Sequence, residues 1–165
     1  MNLMKKVAVA LVCLLPLGLQ AAKVDTLQVK SPSMNKSIEV VVVSPDMAAT
    51  EACPVIYLLH GYGGNARTWV GIKPDLPKIA DEKGIFFVCP DGKNTWYWDS
   101  PLNADVRYET FISDELVKYV DSHYKTVADR KGRAITGLSM GGHGAMWNGL
   151  RHSDVFSAAG STSGG

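Results

Sequence analysis

Residues 137–144 read GLSMGGHG, with a glycine two positions to either side of Ser139. A serine in that setting suits nucleophilic acyl transfer, in which its hydroxyl attacks a carbonyl and a general base takes the proton. The tetrahedral intermediate then needs two N–H donors for its oxyanion. One comes from the residue after the nucleophile, here Met140, and the other from the loop after an earlier strand. HGYGG, residues 60–64, can supply that second donor through Tyr62 or its neighbour. Short glycine motifs also occur by chance, and a glycine turn with a capping serine would satisfy G-x-S-x-G equally well. The flanks favour the chemical reading: a β-rich AIT enters the motif and a helical HGAMWNGL leaves it. A strand-to-helix elbow forces its serine into a strained, exposed turn, and the glycines keep neighbouring chains clear of it.

A nucleophilic serine needs a base and an acid. His60 precedes the glycine-rich loop and reads as a hydrogen-bonded strand-end residue. His123 falls on the core face of a helix and is expected to be packed. His143, four residues beyond Ser139, is expected to be buried beneath the serine. His152 lies a dozen residues along the same helix, about 18 Å away. None has metal-ligand spacing such as H-E-x-x-H, and no metal or cofactor is expected. In this kind of elbow enzyme the acid follows the serine and the histidine follows the acid. Only 26 residues follow Ser139, and their single acid, Asp154, reads as a surface turn residue. Asp91 precedes the serine and reads as a residue shaping a nearby loop. The triad acid and base are therefore expected outside these 165 residues. GSTSG, residues 160–164, repeats the glycine pattern around Thr162, but without a following helix it reads as a polar strand-end loop beside the site.

KNTWYWDSPL places Trp96, Tyr97 and Trp98 together. Trp96 and Trp98 are candidate substrate-binding residues, because aromatic side chains stack on a sugar or an aromatic acyl group. Packing, or a role as a lid, would use the same residues.

These groups require a scaffold. VDTLQVKS and KSIEVVVVSP read as two strands joined by a turn. CPVIYLL, IFFVCP and RAITGL are apolar runs suited to buried strands, and VFSAAGSTSGG opens a further one. PDLPKIADEKG predicts a helix closed by Gly84. Ile112, Leu116, Tyr119, Val120 and His123 share one face of an amphipathic helix over 109–124. Strands alternating with helices predict an α/β protein whose parallel sheet carries its chemistry at the carboxyl ends of the strands. HGYGG, PDGKNTWYW and GLSMGG each follow a buried strand, so they should meet on one rim.

Residues 1–21 combine Lys5 and Lys6, a short apolar run and small residues near Ala21, the pattern of a cleaved signal peptide. Residues 22–165 then form a single domain. An exported, periplasmic or extracellular protein without a stable membrane span is expected. Removing the leader leaves 15 basic against 16 acidic residues, so nothing points to nucleic acid as a partner. Cys53 opens one strand and Cys89 nearly closes another. Parallel strands of about six residues would hold them roughly 20 Å apart. A disulfide requires Cα atoms within about 7 Å, so none is expected.

YLLHGYGGN, VCPDGKN, ITGLSMGGHGA and SAAGSTSGG together resemble the esterase D-like branch of the α/β-hydrolases. That branch includes tributyrin-type and feruloyl esterases, S-formylglutathione hydrolases and mycolyltransferases. The resemblance runs from about residue 25 to the final glycine. It implies an α/β-hydrolase fold with a mainly parallel sheet and an N-terminal antiparallel hairpin, incomplete after the sixth strand of eight. It also implies a serine esterase acting on small-molecule or carbohydrate esters, with Ser139 as nucleophile and the backbones of Tyr62 and Met140 as oxyanion hole. An acyltransferase on the same elbow, and a catalytically dead carbohydrate-binding module, are the alternative functions. On this reading the 165-residue chain alone is inactive.

Overall fold

The computed structural model describes residues 22–164. The signal peptide expected over 1–21 lies outside the described residues. Among those described, no helix is long and apolar enough to cross a membrane.

Among the described residues six strands form one sheet in the order β1-β2-β4-β3-β5-β6. β1 (Lys23–Ser31) and β2 (Lys36–Ser44) make the antiparallel hairpin, turning at Asn35 with φ 49°. β2 then pairs antiparallel with β4 (Phe86–Pro90). β3 (Val55–Leu59) lies between β4 and β5 (Arg133–Leu138), and β6 (Ala158–Thr162) forms the far edge. The pairings β4–β3–β5–β6 are all parallel.

The central strands are apolar on both faces. On β2, Val40 and Val42 enter one core while Val41 and Val43 enter the other. Phe86 and Val88 alternate in the same way with Phe87 and Cys89 on β4. One face is covered by α5 (Met140–Arg151) and the helical run 108–123; the other receives Trp69 and Val70 of α1 (Thr68–Ile72) and Leu76 and Ala80 of α2 (Leu76–Lys83). Gly84 closes α2 in a left-handed conformation, φ 62°, and its N–H is donated to the Ala80 carbonyl.

The run 108–123 differs from a regular helix. α3 (Tyr108–Thr110) leads into a π-helical stretch, Phe111–Leu116, before α4 (Val117–His123). The wider turn brings Phe111 and Val117 into the core beside Ile112, Leu116 and Val120. Tyr119 is only half-buried, and His123, expected in the core, is exposed. His123 is the last residue of the helix, where its ring stacks on Tyr119 at 3.9 Å.

Cys53 and Cys89 are both buried free thiols. Cys53 bridges to Thr126 ahead of β3, while Cys89 sits near the end of β4. Burial pushes the Cys89 thiol up to about 12.

Candidate active site

Ser139 is the single residue between β5 and α5. It is exposed and adopts φ 52°, ψ −121°, a conformation that non-glycine residues seldom occupy. Such strain persists only where the surroundings impose it, and it concentrates at functional sites. Here close packing imposes it. A β-carbon on Gly137 would lie 2.7 Å from the Leu59 carbonyl oxygen, and one on Gly141 would lie 2.7 Å from that of His60. The first turn of α5 is thereby pressed onto the end of β3. The Ser139 N–H is donated to the Thr162 carbonyl at 2.8 Å, so the GSTSG segment borders the elbow through its backbone.

The HGYGG turn meets this elbow. A β-carbon on Gly61 would lie 3.5 Å from Cβ of Ser139 and 2.8 Å from Cδ1 of Leu138. The Gly64 N–H is donated to the Gly61 carbonyl at 3.0 Å, closing the turn, and Gly63 takes φ 77°. The Tyr62 side chain is 67% exposed, and Met140 is the buried first residue of α5.

His60 is buried behind the turn, with Nδ1 2.7 Å from the Gly61 carbonyl and Nε2 accepting the Gly92 N–H at 2.9 Å. This network places the ring proton on Nδ1. One imidazole thus ties the glycine turn to the loop after β4. Asp91 shapes that loop, receiving the Lys93 N–H at 2.8 Å and the Lys93 ammonium at 2.6 Å. Burial pushes the Asp91 carboxyl up, but the Lys93 N–H and ammonium oppose it, and the carboxyl is held below its ordinary value, at about 2.

The aromatic loop divides its labour. Trp96 and Tyr97 both have positive φ, 58° and 59°. Tyr97 is fully buried, its hydroxyl donating to the His60 carbonyl at 3.1 Å, and its own carbonyl accepts from Asn148 Nδ2 at 2.9 Å. Gly144 accommodates its ring, since a β-carbon there would lie 2.5 Å from Cδ2 of Tyr97. Trp96 and Trp98 stay 42% and 44% exposed and, with His143, line a cavity of about 270 Å³. Tyr97 is therefore a packing residue, whereas both tryptophans face a space that a ligand can enter.

His143 is not buried beneath the serine, as the sequence suggested, but half-exposed on the outer side of α5. The glycine and alanine face of the helix, Gly141, Gly144 and Ala145, is the one buried. The His143 ring meets Trp96 edge-on at 5.3 Å and stacks on Trp147 at 6.2 Å. Trp147 also meets Trp98 edge-on at 6.3 Å and lies under the Arg151 guanidinium at 4.8 Å. Buried Glu109 anchors this outer face, accepting from Trp147 Nε1 at 2.7 Å and Arg151 Nε at 2.8 Å, with His152 Nε2 at 2.9 Å. Burial pushes the Glu109 carboxyl up, and these donors bring it below its ordinary value. Asp154 is exposed in the turn after α5. Among the described residues no cluster of three or more His, Cys, Asp or Glu is placed to hold a metal ion.

The mostly parallel sheet, covered on both faces and carrying an exposed serine at the turn from β5 into α5, defines an α/β-hydrolase fold. Residues 31–165 match the family model described as "Putative esterase", and the chain belongs to that family. It is 30% identical over 144 residues to Esterase Rv1288 of Mycobacterium tuberculosis, covering 83% of this chain and 31% of that protein. A solved ferulic acid esterase is 32% identical, with a TM-score of 0.71 over 84% of this chain and 61% of its own. The M. tuberculosis MPT51 structure is 28% identical, with a TM-score of 0.74 over 87% of this chain and 52% of its own. The chain thus spans less than two thirds of each of these relatives.

Proposed function

We propose that this chain carries the nucleophile and oxyanion hole of an exported serine esterase that acts through an acyl-enzyme on Ser139. The strained, exposed Ser139, with the Gly61 turn packed against it, carries this reading. The Ser139 hydroxyl attacks the ester carbonyl, the alcohol leaves, and water releases the acid from the acyl-enzyme. The Tyr62 and Met140 N–H groups receive the oxyanion, Met140 at the positive end of the α5 dipole.

The triad acid and histidine are assigned to residues outside 1–165. In support, both ring nitrogens of His60 are engaged, His152 is held by Glu109, His123 stacks on Tyr119, and the His143 ring packs against Trp96 and Trp147. Trp96 and Trp98 form one wall of the substrate site, and their cavity suits a flat apolar or aromatic part of a small ester. The ferulic acid esterase among the relatives fits this choice. Residues 1–21 act as the export signal.

The test uses the protein encoded by the complete reading frame. A fluorophosphonate should label Ser139, and Ser139→Ala should abolish both labelling and hydrolysis of nitrophenyl esters. Turnover that survives Ser139→Ala would refute the assignment.

A further inference from the structure

We propose that Asn94 is a positioning residue that holds the HGYGG turn in the geometry required to receive an oxyanion. This inference rests on the serine-esterase reading above. The turn has few anchors of its own. The Tyr62 side chain projects into solvent, and a β-carbon on Gly63 would find nothing within 4 Å. Apart from the internal bond from Gly64 to Gly61, its outer half is tied down by the Gly63 N–H, donated to Asn94 Oδ1 at 2.7 Å.

That bond fixes a whole peptide plane. The Gly63 N–H belongs to the unit joining Tyr62 to Gly63, so holding it sets ψ of Tyr62 and φ of Gly63 together. Glycine at φ 77° has no side chain to limit this rotation. Without the tether, the Tyr62–Gly63 peptide can swing at little cost, and the adjoining Gly61–Tyr62 unit, which carries the Tyr62 N–H, loses the fixed neighbour that limits its own rotation. An oxyanion donor is effective only when it is oriented before the charge develops.

Asn94 is itself held firmly. Its neighbour Lys93 is left-handed at φ 49° and bonded twice to Asp91. On the other side, Thr95 Oγ1 donates to the Gly92 carbonyl at 2.6 Å. Gly92 in turn is bonded to His60, which also contacts the Gly61 carbonyl. The two loops are thus joined by His60 from within the fold and by Asn94 from outside. An asparagine serving only its own turn would bond a backbone group within a few residues. Asn94 instead reaches Gly63, 31 positions away in the chain.

The experiment compares Asn94→Ala and Asn94→Asp in the protein from the complete reading frame, with a nitrophenyl ester as substrate. Loss of one preset oxyanion contact should lower kcat by about tenfold or more in Asn94→Ala, leaving KM within about twofold. Exchange of the Gly63 amide hydrogen should quicken in the same variant. Asn94→Asp, which keeps the acceptor, should return slow exchange and recover most of the lost kcat. Unchanged kcat in Asn94→Ala, a rise in KM alone, or unchanged Gly63 exchange would each overturn the proposal. Ser139→Ala separates the two readings. If it retains turnover, the esterase assignment fails; if it is inactive while Asn94→Ala is normal, only the role of Asn94 fails.

Discussion

Gly141 stands so close to Leu59 that a β-carbon on it would lie 2.5 Å from the Leu59 carbonyl carbon. Backbone, not a flexible side chain, occupies that space, so α5 would have to move away from β3. Gly141→Ala should therefore cost about 1–3 kcal/mol or more and displace Met140 from the HGYGG turn. Gly71→Ala supplies the contrast, since nothing lies within 4 Å of the added carbon in α1. That change should be neutral or stabilise by up to about 1 kcal/mol. Chemical denaturation of both variants would test the difference, and equal midpoints would contradict it.

The conformation of Ser139 has its own energetic signature. A non-glycine residue at φ 52°, ψ −121° costs on the order of 1–3 kcal/mol, and glycine relieves much of it. Ser139→Gly should therefore raise the unfolding midpoint while eliminating fluorophosphonate labelling. Ser139→Ala, which retains the β-carbon, should eliminate labelling without that gain. A Ser139→Gly protein no more stable than Ser139→Ala would show that the elbow stores no such strain.

The strand-to-helix turn at Ser139 was legible because it is local: its glycines, entering strand and leaving helix occupy one stretch of chain. The hairpin and the buried strands were equally legible from runs such as Val40–Val43, where every position is apolar. Pairing of β2 with β4 rather than with its sequence neighbour β3 is a sheet-level choice that no short window records. His143 was misplaced because helical spacing gives relative angles, whereas glycines pressed on β3 and Tyr97 decide which side of α5 faces the sheet. Periodicity alone puts His123 in the core, because it shows neither the π-helical stretch nor that the helix ends at this residue. Glu109 and Asn94 carried no signal, because their partners lie tens of residues away.

Glu109 should matter to the aromatic wall as well as to stability. Its carboxylate holds Trp147, Arg151 and His152 against the start of the 108–123 run. Glu109→Gln keeps the shape but removes the charge these donors face. A loss of about 1–3 kcal/mol is expected, limited by the solvent exposure of Arg151. Because Trp147 packs on His143 and Trp98, near-ultraviolet circular dichroism should change as well. A destabilised variant with an unaltered aromatic spectrum would confine Glu109 to a packing role.

Asp91 sets an acid limit on stability. Its carboxyl is held at about 2, below the ordinary value near 4, so folding favours its charged form. The contribution is fully present above that ordinary value and disappears as pH falls through about 2. It amounts to on the order of 2 kcal/mol. Asp91→Asn should lower stability at neutral pH and flatten the loss between about pH 5 and 2 relative to the parent. Parallel stability curves for the two proteins across that range would exclude Asp91 as a source of the acid dependence.

The far edge of the sheet should govern how the 165-residue chain behaves by itself. Among the described residues β6 pairs with β5 alone, and its residues are exposed apart from half-buried Gly160. Beside it on α5, Leu150 is 71% exposed and Met146 36%. An unpaired strand next to uncovered apolar side chains is a template for edge-to-edge association. The chain expressed as residues 22–165 should therefore self-associate, and, if the proposed assignment of the triad acid and base to residues outside 1–165 holds, it should not hydrolyse nitrophenyl esters. A charge on the edge should oppose association, and Ala158 suits it, because Ala159 is the neighbour that packs towards Gly149. Ala158→Lys should reduce light scattering at a given concentration without restoring turnover. A monodisperse parent chain would contradict the first expectation, and turnover abolished by Ser139→Ala would contradict the second.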